Sequence, residues 1–150
     1  MSEATDAARR FLRVTVEDLS GLAEVYGDEV VIEMPFAAGI APTSRRVTRD
    51  ELRGQFSREG IPRYTAVSDV NILECADPHT AVLEYRLHGE RADGRAFATD
   101  YIMVITTRDG RIVHSRDYSN PVQAALNSGR ADQLIRLLQD AAPPQVDGGE

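Results

Sequence analysis

The sequence contains no tryptophan, no lysine and only one cysteine, Cys75. A single cysteine cannot form a disulfide within the chain or supply a zinc cluster of cysteine ligands. All 17 basic residues are arginine. Because no lysine amine is present, the Schiff-base chemistry of aldolases and pyridoxal enzymes is excluded.

Long apolar runs are also missing. None approaches the roughly 20 residues that a membrane helix needs, and the acidic first residues do not resemble a signal peptide. The chain has a net charge of −7 and so lacks the basic surface that binding to nucleic acids or anionic membranes requires. We therefore expect a cytoplasmic protein without nucleic-acid or membrane partners.

Motifs for metals and phosphates are absent as well. In the predicted sheet His88 and His114 lie about 20 Å apart, at about 3.3 Å per residue, and His79 falls in a turn. The sequence has no His/carboxylate cluster at metal spacing. It also has no glycine-rich phosphate loop and no Gly-x-Ser-x-Gly motif. We therefore predict no metal site.

The order of predicted elements indicates one α+β domain over residues 1–140 and a disordered tail over residues 141–150. Apolar residues at helical spacing predict a helix from Ala4 to Leu19 and a shorter one from Leu22 to Tyr26. Thr48 and Glu51 form a capping box for another helix. Strands are predicted near residues 28–34, 64–75, 80–89, 95–107 and 111–119, and short helices near 122–127 and 132–139.

Two Asp-Gly pairs, Asp93-Gly94 and Asp109-Gly110, separate the last three predicted strands. Asp-Gly is typical of two-residue type I′ turns, which fix the register of a hairpin. That register places Leu87 opposite Asp100 and Asp117 opposite Ile102. One apolar face then carries two carboxylates, Asp100 and Asp117. Ser115 and Tyr85 lie on the same face.

Paired carboxyl groups in an apolar wall suit acid/base chemistry, because burial and a like charge both raise the pKa of a carboxyl group. We expect Asp117 to carry the proton, and Asp100, Tyr85 or Ser115 to hold a substrate oxygen. Alternatively, Asp100 binds a backbone amide or an arginine, and Asp117 caps the last helix. A β-bulge in either hairpin would move one aspartate to the other face and leave Asp117 alone.

Aromatic residues supply the remaining candidates for substrate binding. Tyr26 and Phe36 follow the first helices, where they could rim a pocket or pack in the core, and Tyr85 could also be a core residue. Arg45-Arg46-x-x-Arg49 could contact an anionic substrate or lie in solvent. The opposite face of the sheet mixes charged, aromatic and aliphatic residues, and predicts a homodimer interface.

Residues 79–121 resemble the SnoaL-like, ketosteroid isomerase-like branch of the nuclear transport factor 2-like superfamily. The most specific part is DGRIVHSRDYSNP, residues 109–121, and DEVVIEMPF, residues 28–36, is similar to the short strand after the first helices of that branch. The resemblance implies a cone-shaped fold, a curved antiparallel sheet wrapped around N-terminal helices and enclosing a pocket. It also implies frequent dimers and no cofactor, and it matches Asp117 to an acidic position of phenazine-type relatives.

These observations predict an isomerase or cyclase that acts by acid/base chemistry on a small, hydrophobic, oxygenated substrate in secondary metabolism. A second hypothesis is a protein that binds a small molecule, or serves as a dimeric pathway partner, without catalysis. A third is epoxide or ester hydrolysis, which needs an Asp-Arg-Asp arrangement. The predicted register turns Arg86 and Arg116 away from the pocket and so disfavours hydrolysis.

Overall fold

The computed structural model describes residues 1–141, so the predicted tail lies, from residue 142 onward, outside the described residues. The helices are α1 (Glu3–Glu17), α2 (Arg49–Phe56), α3 (Pro121–Asn127) and α4 (Ala131–Asp140), with 3-10 helices at Leu19–Val25 and Pro35–Ala37. The strands are β1 (Tyr26–Glu33), β2 (Ser44–Thr48), β3 (Arg63–Glu74), β4 (Thr80–Glu90), β5 (Ala96–Arg108) and β6 (Arg111–Ser119).

All six strands form one curved, open sheet in the order β2-β1-β6-β5-β4-β3. The β1–β6 pair is parallel and the other pairs are antiparallel. The predicted α+β cone fold is confirmed. The strand β2 was not among the strands predicted from the sequence.

The N-terminal helix covers one face of the sheet. Its apolar stripe, which includes Ala8, Phe11 and Leu12, is buried in the core. Leu83 and Ile105 project from the centre of the sheet into the same core and are fully buried. We call this covered side the inner face and the opposite side the outer face. None of the helices within residues 1–141 is long and apolar enough to cross a membrane.

The predicted capping box of α2 is present: the Thr48 side chain accepts from the Glu51 backbone, and the Glu51 side chain accepts from the Thr48 backbone. The start of α3 is capped by Asn120, whose side chain accepts from two backbone N–H groups. Asp117 therefore does not cap that helix, and its carboxyl group remains available to the inner face.

The first hairpin, between β4 and β5, does not have the predicted two-residue loop. Gly94 N–H donates to the carbonyl of Arg91, and Arg91 N–H donates to the carbonyl of Arg95. Only Gly94 of this loop has a positive φ, of 83°. This three-residue loop, a turn followed by a left-handed glycine, is a common alternative for hairpins. It shifts the register by one residue, so Asp100 pairs with Arg86 rather than with Leu87.

The second hairpin, between β5 and β6, has the predicted turn but an unpredicted bulge. Asp109 and Gly110 both have positive φ, as a type I′ turn requires, and Arg108 pairs with Arg111. The register then shifts between Thr106 and Thr107. Beyond the bulge Asp117 pairs with Met103 instead of Ile102.

The register is shifted by one residue from the prediction on each side of β5, and the two shifts cancel for β6 beyond its bulge. Because side chains alternate between the faces of a strand, each shift exchanges the faces of the strand that follows it. The faces of β4 and β6 therefore remain as predicted, whereas β5 is turned over. The predicted placement of Asp100 on the inner face was wrong, and Asp117 lies on the inner face without it.

Candidate active site

A cavity of about 670 Å³ lies between the inner face of the sheet and the helices. This volume is in the range of small-molecule sites, which are mostly apolar with a few polar groups that orient the ligand. Asp117 is the only carboxyl group that lines it within residues 1–141. The lining consists of Phe11, Thr15, Leu19, Leu22, Tyr26, Ile32, Met34, Ala41, Pro42, Arg45, Leu52, Gln55, Phe56, Arg58, Ile61, Pro62, Tyr64, Tyr85, Leu87, Tyr101, Met103 and Asp117.

Asp117 projects from β6 into this apolar cavity. Burial raises the pKa of its carboxyl group above the ordinary value, because the charged form loses solvation. A hydrogen bond from Ser115 and the positive charges of Arg45 and His114 act in the opposite direction, but burial is the largest effect. The carboxyl group therefore keeps its proton to a higher pH than an exposed aspartate does, which suits a group that must both take up and release a proton.

Ser115 lies two residues before Asp117 on the same face of β6. Its hydroxyl donates a hydrogen bond to Oδ1 of Asp117, and the residue is 1% exposed. The structure therefore places Ser115 behind Asp117 rather than in the wall of the cavity. It positions the carboxyl group, and the predicted direct contact with substrate remains untested.

Four tyrosines line the cavity together with Asp117: Tyr26, Tyr64, Tyr85 and Tyr101. Tyr85 and Tyr101 stack with ring centroids 5.3 Å apart, and the Tyr85 hydroxyl donates to Sδ of Met103 at 3.2 Å. Burial raises the pKa of Tyr101 to about 12 and raises the pKa values of Tyr26 and Tyr85 well above the ordinary value. These phenols are therefore neutral and can donate hydrogen bonds to a substrate oxygen.

Asp100 is not part of this site. Its carboxylate accepts from Nε of Arg86 at 2.8 Å and from Nη2 at 3.3 Å, on the outer face. The arginine lowers the pKa of Asp100 below its ordinary value. The alternative that Asp100 binds an arginine is therefore confirmed, and the predicted pair of carboxylates does not form.

Phe36 also lies away from the cavity. It is 63% exposed and packs edge-to-face on Tyr118, with ring centroids 5.1 Å apart. It lines a hollow near the end of β6 together with Asp100 and Ile102. Tyr26, by contrast, lies in the cavity wall and is 5% exposed, so only one of the two predicted rim aromatics reaches the site.

Sequence analysis missed the contribution of β5 and the cations of the cavity. Tyr101 and Met103 were assigned to the outer face because the assumed two-residue loop gave the wrong register. Arg45 was part of the arginine run noted above, but Arg58 carried no signal. Both arginines line the cavity and are exposed to solvent, which places positive charge at its mouth.

Within residues 1–141, no group of three or more His, Cys, Asp and Glu side chains could hold a metal ion. The polar side-chain groups of the cavity lining are one carboxyl, four phenols, the hydroxyl of Thr15, an amide and two guanidinium groups. Such a set can move a proton and stabilise charge on an oxygen by hydrogen bonding.

Comparison with known proteins agrees with the fold. The family model of the SnoaL-like domain matches residues 8–115. The chain belongs to the SnoaL-like family. The match ends two residues before Asp117, so the role of this residue depends on the geometry of the site and on the sequence motif around it.

Individual relatives extend the comparison to most of the chain. An uncharacterized PhzA/B-like protein of Pseudomonas aeruginosa is 32% identical over 130 residues, 83% of this chain and 88% of that protein. A Bacillus subtilis protein of known structure, provisionally named an isomerase, has a TM-score of 0.70 and 26% identity, covering 85% of this chain and 94% of its own. The Δ5-3-ketosteroid isomerase of a Mycobacterium species has a TM-score of 0.66 and 18% identity, covering 81% and 95%.

Proposed function

We propose that this SnoaL-like protein is a cofactor-independent isomerase or cyclase that transfers a proton within a hydrophobic, oxygenated small molecule. One observation carries the proposal. A single carboxyl group with a raised pKa lies in an apolar cavity beside neutral phenol groups. Acid/base catalysis requires such a group, since its pKa must lie near the working pH.

The proposed reaction begins when the ionised Asp117 removes a proton from a carbon next to a substrate carbonyl. The electron pair of that C–H bond moves into the carbonyl and leaves negative charge on its oxygen. Tyr85 or Tyr101 donates a hydrogen bond to this oxygen, and such donors act strongly in a site without water. In a substrate with a C=C bond next to the deprotonated carbon, the charge then returns from the oxygen, the carbonyl re-forms and the C=C bond shifts, while its far carbon takes the proton from Asp117 and the carboxylate is regenerated.

The volume and the aromatic lining of the cavity support a substrate of several fused or linked rings. Its volume of about 670 Å³ fits a molecule of drug size, and aromatic side chains form much of its wall. The ketosteroid isomerase with the same fold is named for a polycyclic substrate with one carbonyl group. A Δ5-3-ketosteroid is therefore a suitable first probe, because its isomerisation moves one proton between two carbons.

Turnover of a Δ5-3-ketosteroid by the wild type, Asp117→Asn and Asp100→Asn tests the proposal. Asparagine keeps the shape of each side chain and removes the titrating group. We expect Asp117→Asn to lower kcat by about 100-fold or more and Asp100→Asn to leave kcat unchanged. A fall of less than about tenfold, or 1.4 kcal/mol, in Asp117→Asn would contradict acid/base catalysis by this residue.

A second candidate function is ligand binding without catalysis. It is favoured by the finding that, among residues 1–141, the carboxyl group of Asp117 is accompanied in the cavity lining mainly by apolar and aromatic side chains, which bind a hydrophobic molecule with or without turnover. Tight binding of a steroid with no turnover, and with equal affinity in Asp117→Asn, would support this alternative. Hydrolysis is disfavoured because Arg86 pairs with Asp100 on the outer face, and no second aspartate lines the cavity within residues 1–141.

We also propose that the protein forms a homodimer through the outer face. Ile102 is 43% exposed and lies in an apolar hollow with Tyr118, beside the Arg86–Asp100 ion pair. A mixture of apolar and charged groups is typical of protein interfaces. Light scattering should give the dimer mass for the wild type and the monomer mass for Ile102→Glu, and a monomeric wild type at micromolar concentration would contradict the proposal.

A further inference from the structure

A second cavity, of about 390 Å³, adjoins the main one. It lies between the loop that joins α2 to β3, the β4–β5 turn and the α3–α4 turn. Arg58, Ile61 and Pro62 line both cavities. The two spaces therefore share a wall, and a ligand in the main cavity could extend past that wall into the second one.

Three arginines line the second cavity, Arg58, Arg91 and Arg130, against one carboxylate, Asp93. Asp93 already forms an ion pair with Arg91 at 3.0 Å. Within residues 1–141, neither Arg58 nor Arg130 forms an ion pair. The cavity thus has an excess of positive charge in a chain whose net charge is −7.

Two of these guanidinium groups donate hydrogen bonds to α3 and the α3–α4 turn. Nη1 of Arg91 donates to the carbonyl of Leu126 at 3.2 Å, and Nε of Arg130 donates to Oγ of Ser128 at 3.1 Å. Gly129 has a φ of +70°, and a Cβ there would lie 2.8 Å from Nη2 of Arg91. The positive φ favours glycine at this position, and its lack of a side chain lets the Arg91 guanidinium lie against the turn.

We propose that the second cavity binds an anionic group, a phosphate or a carboxylate, carried by the ligand whose apolar part occupies the main cavity. Guanidinium groups bind such oxyanions through two parallel hydrogen bonds with charge assistance. Arg58 would contact the anion at the shared wall, and Arg91 and Arg130 would surround it. This inference rests on the proposed function, since it assumes an apolar ligand in the main cavity, and it adds an acidic group to the substrate class.

Three probes test the proposal on the full chain by titration calorimetry at fixed ionic strength: 1-naphthol, 1-naphthyl phosphate and inorganic phosphate. The two naphthyl compounds share an apolar part and differ in the anion. The variants are Arg58→Gln and Arg130→Gln, with Arg136→Gln as the matched control, because Arg136 is an exposed arginine of α4 outside the lining. All three arginines are exposed, so these changes should leave the fold intact.

We expect the wild type to bind 1-naphthyl phosphate about tenfold more tightly than 1-naphthol, since hydrogen bonds to charged groups are stronger than neutral ones. Arg58→Gln and Arg130→Gln should each remove most of this advantage, and Arg136→Gln should retain it. Equal affinity for both compounds in the wild type, or an advantage that survives in both variants, overturns the proposal. Failure of all three probes to bind overturns it as well.

Inorganic phosphate separates a free anion from one carried by the ligand. It should compete with 1-naphthyl phosphate and not with 1-naphthol. If it binds through Arg58 and Arg130 while the naphthyl pair shows no difference, the cavity takes a free anion and the proposal is wrong. Asp117→Asn should keep the phosphate advantage, so a failure of the catalytic proposal appears only in turnover and remains distinguishable.

Discussion

Ser115 donates a hydrogen bond to the carboxyl group of Asp117 from two residues earlier on the same strand. Because Ser115 is fully buried behind the cavity wall, this bond is protected from solvent. It stabilises the charged form of Asp117 and opposes the effect of burial on the pKa. The pKa of the candidate catalytic group is therefore set by a balance that single substitutions can shift.

Ser115→Ala should raise the pKa of Asp117 further, since it removes a donor that favours the charged form. It should also destabilise the fold by about 1–3 kcal/mol, as expected for a buried hydrogen bond to a charged group. NMR titration of the aspartate carboxyl carbons measures the pKa directly. Asp100 provides an internal control, because its lowered pKa comes from Arg86 and should not change.

Asp117→Asn should make the protein more stable at pH 7. The pKa of Asp117 is raised in the folded state, so the folded chain binds the proton more tightly than the unfolded chain does. The wild type therefore loses stability as pH rises from the ordinary aspartate pKa through the raised folded value. Thermal melts across this range should show a higher melting temperature for Asp117→Asn than for the wild type. The difference should grow as pH rises and be absent at lower pH.

Two results would contradict this prediction: a difference in melting temperature that is the same at every pH, or an Asp117→Asn variant that is less stable than the wild type at pH 7. Either would mean that ionised Asp117 is not penalised by burial. Asp100→Asn is the matched control. It breaks an exposed ion pair on the outer face, and such pairs contribute little to stability, so we expect nearly unchanged melting at pH 7.

Tyr85→Phe should lower the turnover of a substrate with a carbonyl group by about 100-fold if Tyr85 is the main donor to its oxygen. The ring and its stacking on Tyr101 would be kept, and only the bond to Met103 would be lost. Comparison of kcat with KM, and with Tyr101→Phe, identifies the donor. Unchanged kcat in both variants would exclude these two phenols from the reaction.

The sequence predicted the helices and the four long strands closely because their patterns are local. The helical spacing of Ala8, Phe11 and Leu12 and the capping box at Thr48 need no distant information. The short strand β2 was missed because four polar residues and one valine, Val47, carry no alternating apolar pattern. That strand exists through its pairing with β1.

The register of β5 could not be predicted from its own residues. Both faces of this strand carry apolar side chains: Ile102 and Val104 on the outer face, and Met103 and Ile105 on the inner one. The alternation of apolar and polar residues therefore does not determine which side chains of β5 face the core. The geometry of the adjoining loops determines it instead. Asp93-Gly94 suits a three-residue loop as well as a two-residue one.

Asp117 was placed correctly because two errors cancelled. The shift at the first loop and the bulge in the second hairpin each displaced β5, and β6 returned to its predicted face. The prediction of Asp100 depended on a single shift and failed. A position beyond an even number of register shifts keeps its predicted face, whereas one beyond an odd number does not.

Loss of deuterium from the substrate carbon that Asp117 deprotonates tests the central claim most directly, because it follows the first proton transfer whether the label passes to solvent or to another carbon. A Δ5-3-ketosteroid deuterated at the carbon between its carbonyl group and its C=C bond is incubated with the wild type, Asp117→Asn or Asp100→Asn, and the label at that carbon is measured by NMR. We predict loss of the label in the wild type and in Asp100→Asn, and a rate lower by about 100-fold or more in Asp117→Asn. Equal rates in Asp117→Asn and the wild type would contradict the role of Asp117 as the proton carrier.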